Sequence, residues 1–272
     1  MSNYLKFYIN GEWVNPISSE TIEVINPSDE SVIALIAAGT KEDIDAAVDA
    51  ANNAFKSFGF SSKEERITLL ENIVVEYEKR SEELAKTISE EMGAPLWLSQ
   101  VAQVTSGLGH FKDTLEVLKT FEFEGTENNY LIRREPIGVV GMITPWNWPM
   151  NQMCTKVASA IAAGCTMVLK PSEITPLCGI LFAEILHSAK VPPGVFNLVN
   201  GVGPIVGAAL SEHPDIDMMH FTGSTRAGVA VAIASAPTVK RVSQELGGKS
   251  ANIILDDADI EKAVTAGVNH CF

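Results

Sequence analysis

IGVVGMITPWNWPMNQMCTKVASAIAAGCTMVLKPSE, residues 137–173, carries the pattern that decides the fold. Residues 137–144 are a β-branched, apolar run of strand length, and 149–163 set apolar side chains at helical spacing behind a proline suited to a first helical turn. A second short apolar run follows at 166–170. A helix of that length between two strands returns the second parallel to the first, because the crossover carries the chain back to the starting end of the sheet. The alternation continues: helix at 176–189, strand at 195–199, helix at 204–212, strand at 218–222, helix at 224–234 and a strand-like stretch at 240–246. This reads as an α/β fold with a doubly wound parallel sheet, and in such sheets ligands sit outside the carboxyl ends of the strands.

Upstream the grammar differs. Residues 7–14, FYINGEWV, are two alternating runs joined by Asn10-Gly11, a pair that tolerates the positive φ angles of a two-residue hairpin. From Thr40, the series Ile44, Val48, Ala51, Phe55 and Phe58 predicts a helix with an acidic first turn. Ser62 with Glu65 predicts a capping box opening a helical stretch towards Met92, interrupted at Gly93-Ala94-Pro95. Residues 121–134, FEFEGTENNYLIRR, are short and charged, with a turn-forming centre at 125–129 between β-prone ends. They read as a projecting β-hairpin that either pairs with something outside its domain or is a solvated excursion.

Bulk properties exclude several classes. With 34 acidic against 20 basic residues and a formal net charge of −14, the chain is a poor partner for nucleic acid, which requires clustered Lys and Arg. The longest nearly apolar run, 157–169, is bounded by Lys156 and Lys170 and broken by Gly164, too short for a hydrocarbon layer of ~30 Å, so no membrane span is expected. The opening MSNYLKFYINGEW lacks the basic and apolar regions of a secretory signal, which points to the cytoplasm. Cys154, Cys165, Cys178 and Cys271 are irregularly spaced without a CxxC or a histidine cluster, so they read as buried thiols and no metal site is expected.

Chemistry is concentrated after the predicted strands. Thr144-Pro145-Trp146-Asn147-Trp148-Pro149 is stiffened by two prolines and two tryptophans. Its Asn147 amide reads either as a donor to a developing oxyanion or as a local turn or cap bond. Lys170-Pro171-Ser172-Glu173 reads either as a grip for an adenosine ribose, with Glu173 accepting from both hydroxyls and repelling a 2′-phosphate, or as a solvated loop before the next helix. The glycine-bearing turns 201–207 and 221–225 could each seat a phosphate, yet neither matches GxGxxG, and glycine is also ordinary in tight turns. Glu245, beside Leu246-Gly247-Gly248, reads as a general base if burial raises its pKa towards neutrality, and as an exposed carboxylate otherwise.

Taken together, PWNWP, KPSE, FTGS and ELGG, in that order and at these intervals, resemble the aldehyde dehydrogenase superfamily, and the resemblance runs from the opening hairpin to Phe272. It implies Asn147 as the oxyanion-stabilising residue, Glu245 as the base that activates water, and Lys156 as a lysine near the nicotinamide. It implies NAD, with NADP as the alternative, held by Ile143, Thr144, Pro145, Trp146, Asn147, Lys170, Ser172, Glu173, Gly203, Gly207, Phe221, Thr222, Gly223, Ser224, Glu245, Leu246 and Gly247. Trp148 departs from the phenylalanine of many relatives but keeps an aromatic wall. The implied reaction is thiolate addition to a small-molecule aldehyde, hydride loss to NAD, and hydrolysis of the thioester by water that Glu245 deprotonates.

The resemblance also implies a nucleophilic cysteine in an F-x-N-x-G-Q-x-C segment, which is not among these residues. Cys271 lies in a helical pattern with Ile260, Val264, Gly267 and Val268, so packing is its expected role. The resulting expectation is a Rossmann-like NAD-binding domain at 1–120 and 136–246, a projecting oligomerisation hairpin at 121–135 serving a homodimer or homotetramer, and the start of a truncated catalytic domain at 247–272. By itself, such a chain would be inactive and would expose apolar surface. Two other readings fit the same residues: a non-catalytic nucleotide-binding or interaction module, and a relative that passes the acyl group to coenzyme A.

Overall fold

The computed structural model describes residues 4–271. Among them, one mixed sheet has seven strands in the order β11-β10-β7-β8-β9-β1-β2. Five of these are the expected parallel strands: β7 (Val139–Ile143), β8 (Thr166–Lys170), β9 (Phe196–Leu198), β10 (Met218–Thr222) and β11 (Arg241–Glu245). The other two, β1 (Phe7–Ile9) and β2 (Glu12–Val14), are the opening hairpin, whose Asn10 and Gly11 have φ of 53° and 79°. Strand β1 runs antiparallel to β9, so the opening hairpin adds an antiparallel edge to the expected parallel sheet and makes the whole mixed. The hairpin covers an edge that would otherwise present unpaired peptide groups. Asn197, fully buried in β9, secures the join: its amide donates to the carbonyls of Met167 and Gly194, and its oxygen accepts from Asn10 N at 2.9 Å.

Alternation along the buried strands divides the interior into two cores. Tyr8, Val140, Met142, Met167, Leu169, Phe196 and Leu198 face one layer of helices, while Phe7, Ile9, Val139, Ile143, Val168, Met219 and Phe221 face the other. Every residue of β7 and β8 is buried, as a two-sided parallel sheet demands. The first layer holds α2 (Lys63–Lys79), α3 (Ser81–Met92), α5 (Val104–Thr120), α6 (Pro149–Ala163) and α7 (Leu177–Ser188). The second holds α1 (Lys41–Phe58), α8 (Ala208–Glu212) and α9 (Thr225–Ser235).

Local signals account for the ends of these elements. Thr40 with Asp43, and Ser62 with Glu65, form reciprocal capping boxes at the starts of α1 and α2. The stretch towards Met92 is two helices rather than one, broken at Arg80. Gly93 ends α3 at φ +82°. Between α3 and α5 the chain forms α4 (Leu96–Leu98) and a π-helical turn (Ser99–Gln103), and a separate hairpin pairs β3 (Thr21–Ile25) with β4 (Val32–Ala37). Sequence patterning singled out none of the elements between residues 21 and 37 or between 96 and 120. The expected helix at 204–212 opens with another π-helical turn, Gly203–Gly207, before α8.

The projecting hairpin pairs β5 (Glu124–Glu127) with β6 (Tyr130–Arg133) in a sheet of its own. Its turn is Asn128-Asn129, both at positive φ, and Gly125 lies in the strand rather than in the turn. Asparagine tolerates this conformation because its side chain can bond locally. Tyr130 and Leu131 are exposed, as are Ile253, Leu255, Ile260, Val264 and Val268 after the sheet ends. Helix α10 (Ile260–Cys271) closes the described chain, and the expected packing of the Cys271 side chain, like Phe272, lies outside the described residues. Among the described residues no helix is long and apolar enough to cross a membrane.

A buried carboxylate completes the first layer. The first turn of α7 has no side-chain cap of its own, and Glu91 of α3 fills that role, accepting from Leu177 N at 2.7 Å and Cys178 N at 2.9 Å. Burial pushes its carboxyl group up to about 7, with the hydrogen bonds to α7 opposing the shift. A carboxyl raised in the folded state contributes stability that is present at low pH and lost as pH climbs from 4.5 through about 7. At ~1.4 kcal/mol per pKa unit the loss is roughly 3 kcal/mol. Urea unfolding at pH 5 and pH 8 is therefore expected to show the parent protein weakening relative to Glu91→Gln across that interval.

Candidate functional site

Strand order reverses between β7 and β10: the chain winds from β7 outward through β8 to β9, then crosses back to add β10 and β11 on the other side. Register brings the strand ends into one line. Lys170 lies beside Ile143, Ile143 beside Phe221, and Phe221 beside Gln244, with Thr222 beside Glu245 one residue further on. Thr144 N then donates to Lys170 O at 3.2 Å and Gly223 N to Glu245 O at 3.0 Å, so the ladder continues into the turns that follow. The four segments singled out from sequence thus share one edge of the sheet at its switch point.

At the β7 and β10 ends, Lys156 descends from α6, 2% exposed, and donates to Thr222 Oγ1 at 2.7 Å. Burial lowers its pKa to about 8, and the charge of Glu245 acts in the opposite direction. His220, on the same strand face as Thr222, is pushed down to about 4 by burial and by Lys156, which leaves it a neutral imidazole near pH 7. Glu245 itself is exposed. The burial expected of it is not found among the described residues, where it ends the edge strand β11.

At the β8 end, Lys170 is also 2% exposed and donates to Glu173 Oε2 and Pro171 O, each at 2.8 Å. Burial pulls the lysine's pKa down and Glu173 opposes it. Burial pushes Glu173 up, but the Lys170 charge and hydrogen bond, together with backbone N–H donors, outweigh it and hold the carboxyl below its ordinary value. Gly203 N lies 3.5 Å from Glu173 Oε1, linking this loop to the turn after β9. Ser172 Oγ accepts from Ile174 N at 3.2 Å, and Ser224 Oγ accepts from Ala227 N at 3.3 Å as the cap of α9. Both hydroxyls therefore shape their own turns.

The glycines divide by what surrounds them. A Cβ at Gly203 or Gly247 would meet nothing within 4 Å, and one at Gly207 would only touch Ile143 and Lys170, at 3.5 and 3.8 Å. A Cβ at Gly223 would collide with the Phe221 ring, so that glycine is required by packing within the protein. Thr144 is buried, Pro145 and Trp148 are half-buried, and Trp146 and Asn147 are exposed at the mouth of the crevice. Leu246 is 41% exposed. Two contacts hold the loop by its carbonyls: Thr175 Oγ1 to Trp146 O at 3.5 Å and Gln103 Nε2 to Asn147 O at 3.1 Å. Gln103 escaped the sequence reading because no local pattern marks a contact between residues so far apart in the chain.

These features define a doubly wound α/β protein with its polar groups gathered at the switch point of the sheet. The chain belongs to the aldehyde dehydrogenase family, which it matches over residues 13–272. It is 55% identical over 269 residues to a 3-succinoylsemialdehyde-pyridine dehydrogenase of a Pseudomonas species, a match covering 98% of this chain and 56% of that protein. It is similar to an aldehyde dehydrogenase from Pseudomonas syringae, solved as a cysteine-to-alanine mutant with NAD+ and octanal, at 52% identity and a TM-score of 0.96 over 98% of this chain and 55% of that one. A Bartonella henselae aldehyde dehydrogenase superposes with a TM-score of 0.97 at 51% identity, over 100% of this chain and 58% of its own. The chain therefore spans little more than half the length of these relatives.

Lys156 yields a direct test. A lysine whose pKa falls on folding destabilises the folded state while charged, so stability is expected to rise as pH climbs from about 8 to 10.5. The increment is on the order of 2 kcal/mol at ~1.4 kcal/mol per unit, discounted for partial solvation. Urea unfolding at pH 7.5 and 10 is expected to show that gain in the parent protein and not in Lys156→Met.

Proposed function

We propose that this chain forms the NAD-binding portion of an enzyme that oxidises a small-molecule aldehyde to a carboxylic acid. The observation that carries the reading is the alignment of Lys170–Glu173, Thr144–Asn147, Lys156–Thr222 and Glu245 along one edge at the switch point. Such crevices are where doubly wound sheets hold dinucleotides. Supporting it, the similar enzyme of Pseudomonas syringae was crystallised with NAD+ and octanal, and that of Bacillus cereus with NAD+.

The residues fit a dinucleotide. The open space at Gly203 and the shallow contact of Gly207 with Ile143 and Lys170 leave room beside the strand ends for an extended ligand. Glu173 would take the ribose hydroxyls, with Lys170 and Ser172 shaping its loop. The residues from Ile143 to Trp146, and from Phe221 to Ser224, would line the path, with Leu246 and Gly247 beyond them. Lys170 is already bonded to Glu173 and Pro171, so it is not free to neutralise a 2′-phosphate, and NAD is favoured over NADP. When bound, NAD would supply a hydride acceptor.

The remaining chemistry falls to this chain and to a thiol. Asn147 would hold the substrate oxygen with its side-chain NH2 as negative charge develops there. Glu245 would take a proton from water to hydrolyse the thioester formed after a thiohemiacetal. Lys156, fixed on Thr222, would keep positive charge near that carboxylate. Cys154, Cys165 and Cys178 are buried, and burial raises each thiol's pKa, which argues against any of them as the nucleophile. The cysteine segment that the family resemblance implies is not among residues 1–272, and by itself the chain is proposed to bind cofactor without turnover. The hairpin at residues 121–135 would serve a homodimer or homotetramer, since it stands apart from the main sheet with Tyr130 and Leu131 exposed.

Calorimetric titration tests the reading. NAD is expected to bind at least about tenfold more tightly than NADP, a difference of ~1.4 kcal/mol, and Glu173→Gln is expected to narrow it. Equal or tighter binding of NADP would overturn the role of Glu173, and absence of binding to either would favour the non-catalytic interaction module.

A further inference from the structure

The helical segment behind the crevice carries a polar arrangement that packing does not explain. Residues Ser99–Gln103 form a π-helical turn, a distortion that occurs frequently at functional sites. Gln103 is 1% exposed. Its Nε2 donates to the main-chain carbonyl of Asn147 at 3.1 Å and lies 3.5 Å from the Met92 sulfur. Both neighbours are acceptors, so the NH2 must face them, because a flipped amide would set two carbonyl oxygens against each other. The opposite end of the amide, Oε1, is buried with no hydrogen-bond partner among the described residues, and the same holds for Ser99 Oγ one turn earlier.

A buried acceptor without a partner costs stability, whereas a single neutral hydrogen bond returns only a modest gain. An apolar side chain of the same length would therefore fill the space at least as well. What it could not do is hold the Asn147 carbonyl. That loop runs between Pro145 and Pro149 at the exposed mouth of the crevice, with Trp146 and Asn147 open to solvent. Holding the carbonyl limits rotation of the peptide group that follows Asn147 and so narrows the directions its side chain can take.

We propose that Gln103 is a positioning residue: through the main-chain carbonyl of Asn147 it sets the orientation of the Asn147 amide at the mouth of the site. Its chemical significance rests on the oxyanion role proposed above for Asn147, while the positional claim concerns only the loop.

The test is hydrogen exchange read by mass spectrometry on this chain and on Gln103→Met, which keeps the length of the side chain and removes both the donor and the unpaired acceptor. The informative peptide covers residues 144–152, where Thr144 N is bonded to Lys170 O and Gln152 N to Trp148 O. The expected result is a urea midpoint that is unchanged or raised, with exchange about fivefold faster in this peptide, the scale of one lost hydrogen bond. Peptides from β7 and α7 should not change. Unchanged exchange at residues 144–152 in Gln103→Met, or a uniform rise across all peptides, would overturn the proposal. NAD titration of the unmodified chain separates the two claims: failure to bind would sink the proposed function and leave the exchange result to decide the role of Gln103.

Discussion

The parallel ladder joining β8, β7 and β10 is the constraint on which the rest of the structure depends. Its central strands are buried on both faces, where a peptide group without a partner cannot fall back on water. Side chains alternate between two cores, so slipping any strand by one residue would turn its apolar set towards the wrong helices. Register is thereby held at every rung, and the ends of the strands inherit it. Lys170, Ile143, Phe221 and Gln244 stand side by side because the residues beneath them cannot shift.

The two buried lysines at that edge can be charged because each is partnered. Lys156 rests on Thr222 and feels Glu245, and Lys170 is neutralised by Glu173. Leaving an isolated charge in such a place would cost several kcal/mol, whereas a short charge-assisted hydrogen bond offsets much of that cost. The pairing also restricts what each group can offer. Lys170 has little left for a phosphate, and Lys156 is tuned towards neutrality by burial. Glu91, remote from the crevice, follows the same physics in structural service, with a helix N-terminus as its partner.

Much of this was legible from the chain alone. The β/α alternation, the Asn10-Gly11 turn and the capping boxes at Thr40 and Ser62 were readable because each is written in neighbouring residues. The helices between 96 and 120 and the strands between 21 and 37 were not, since their elements are short, distorted or half-exposed, and packing rather than pattern holds them. At the site, PWNWP, KPSE, FTGS and ELGG were each ambiguous alone, and their order carried the family resemblance. The burial of Glu245 could not be judged, because it depends on what lies over the end of β11.

Sequence by itself determined the winding of the sheet, the places where strands give way to loops, and the kinds of groups found there. Helical spacing, chain reversal and turn chemistry act over a few residues, so a local reading captures them. Tertiary structure decided the rest. It turned a parallel domain into a mixed sheet by laying β1 against β9, joined Lys156 to Thr222, and brought Gln103 to the carbonyl of Asn147. Each of these contacts links segments far apart in the chain, and only the packing of helices on both faces of the sheet determines which distant residues meet.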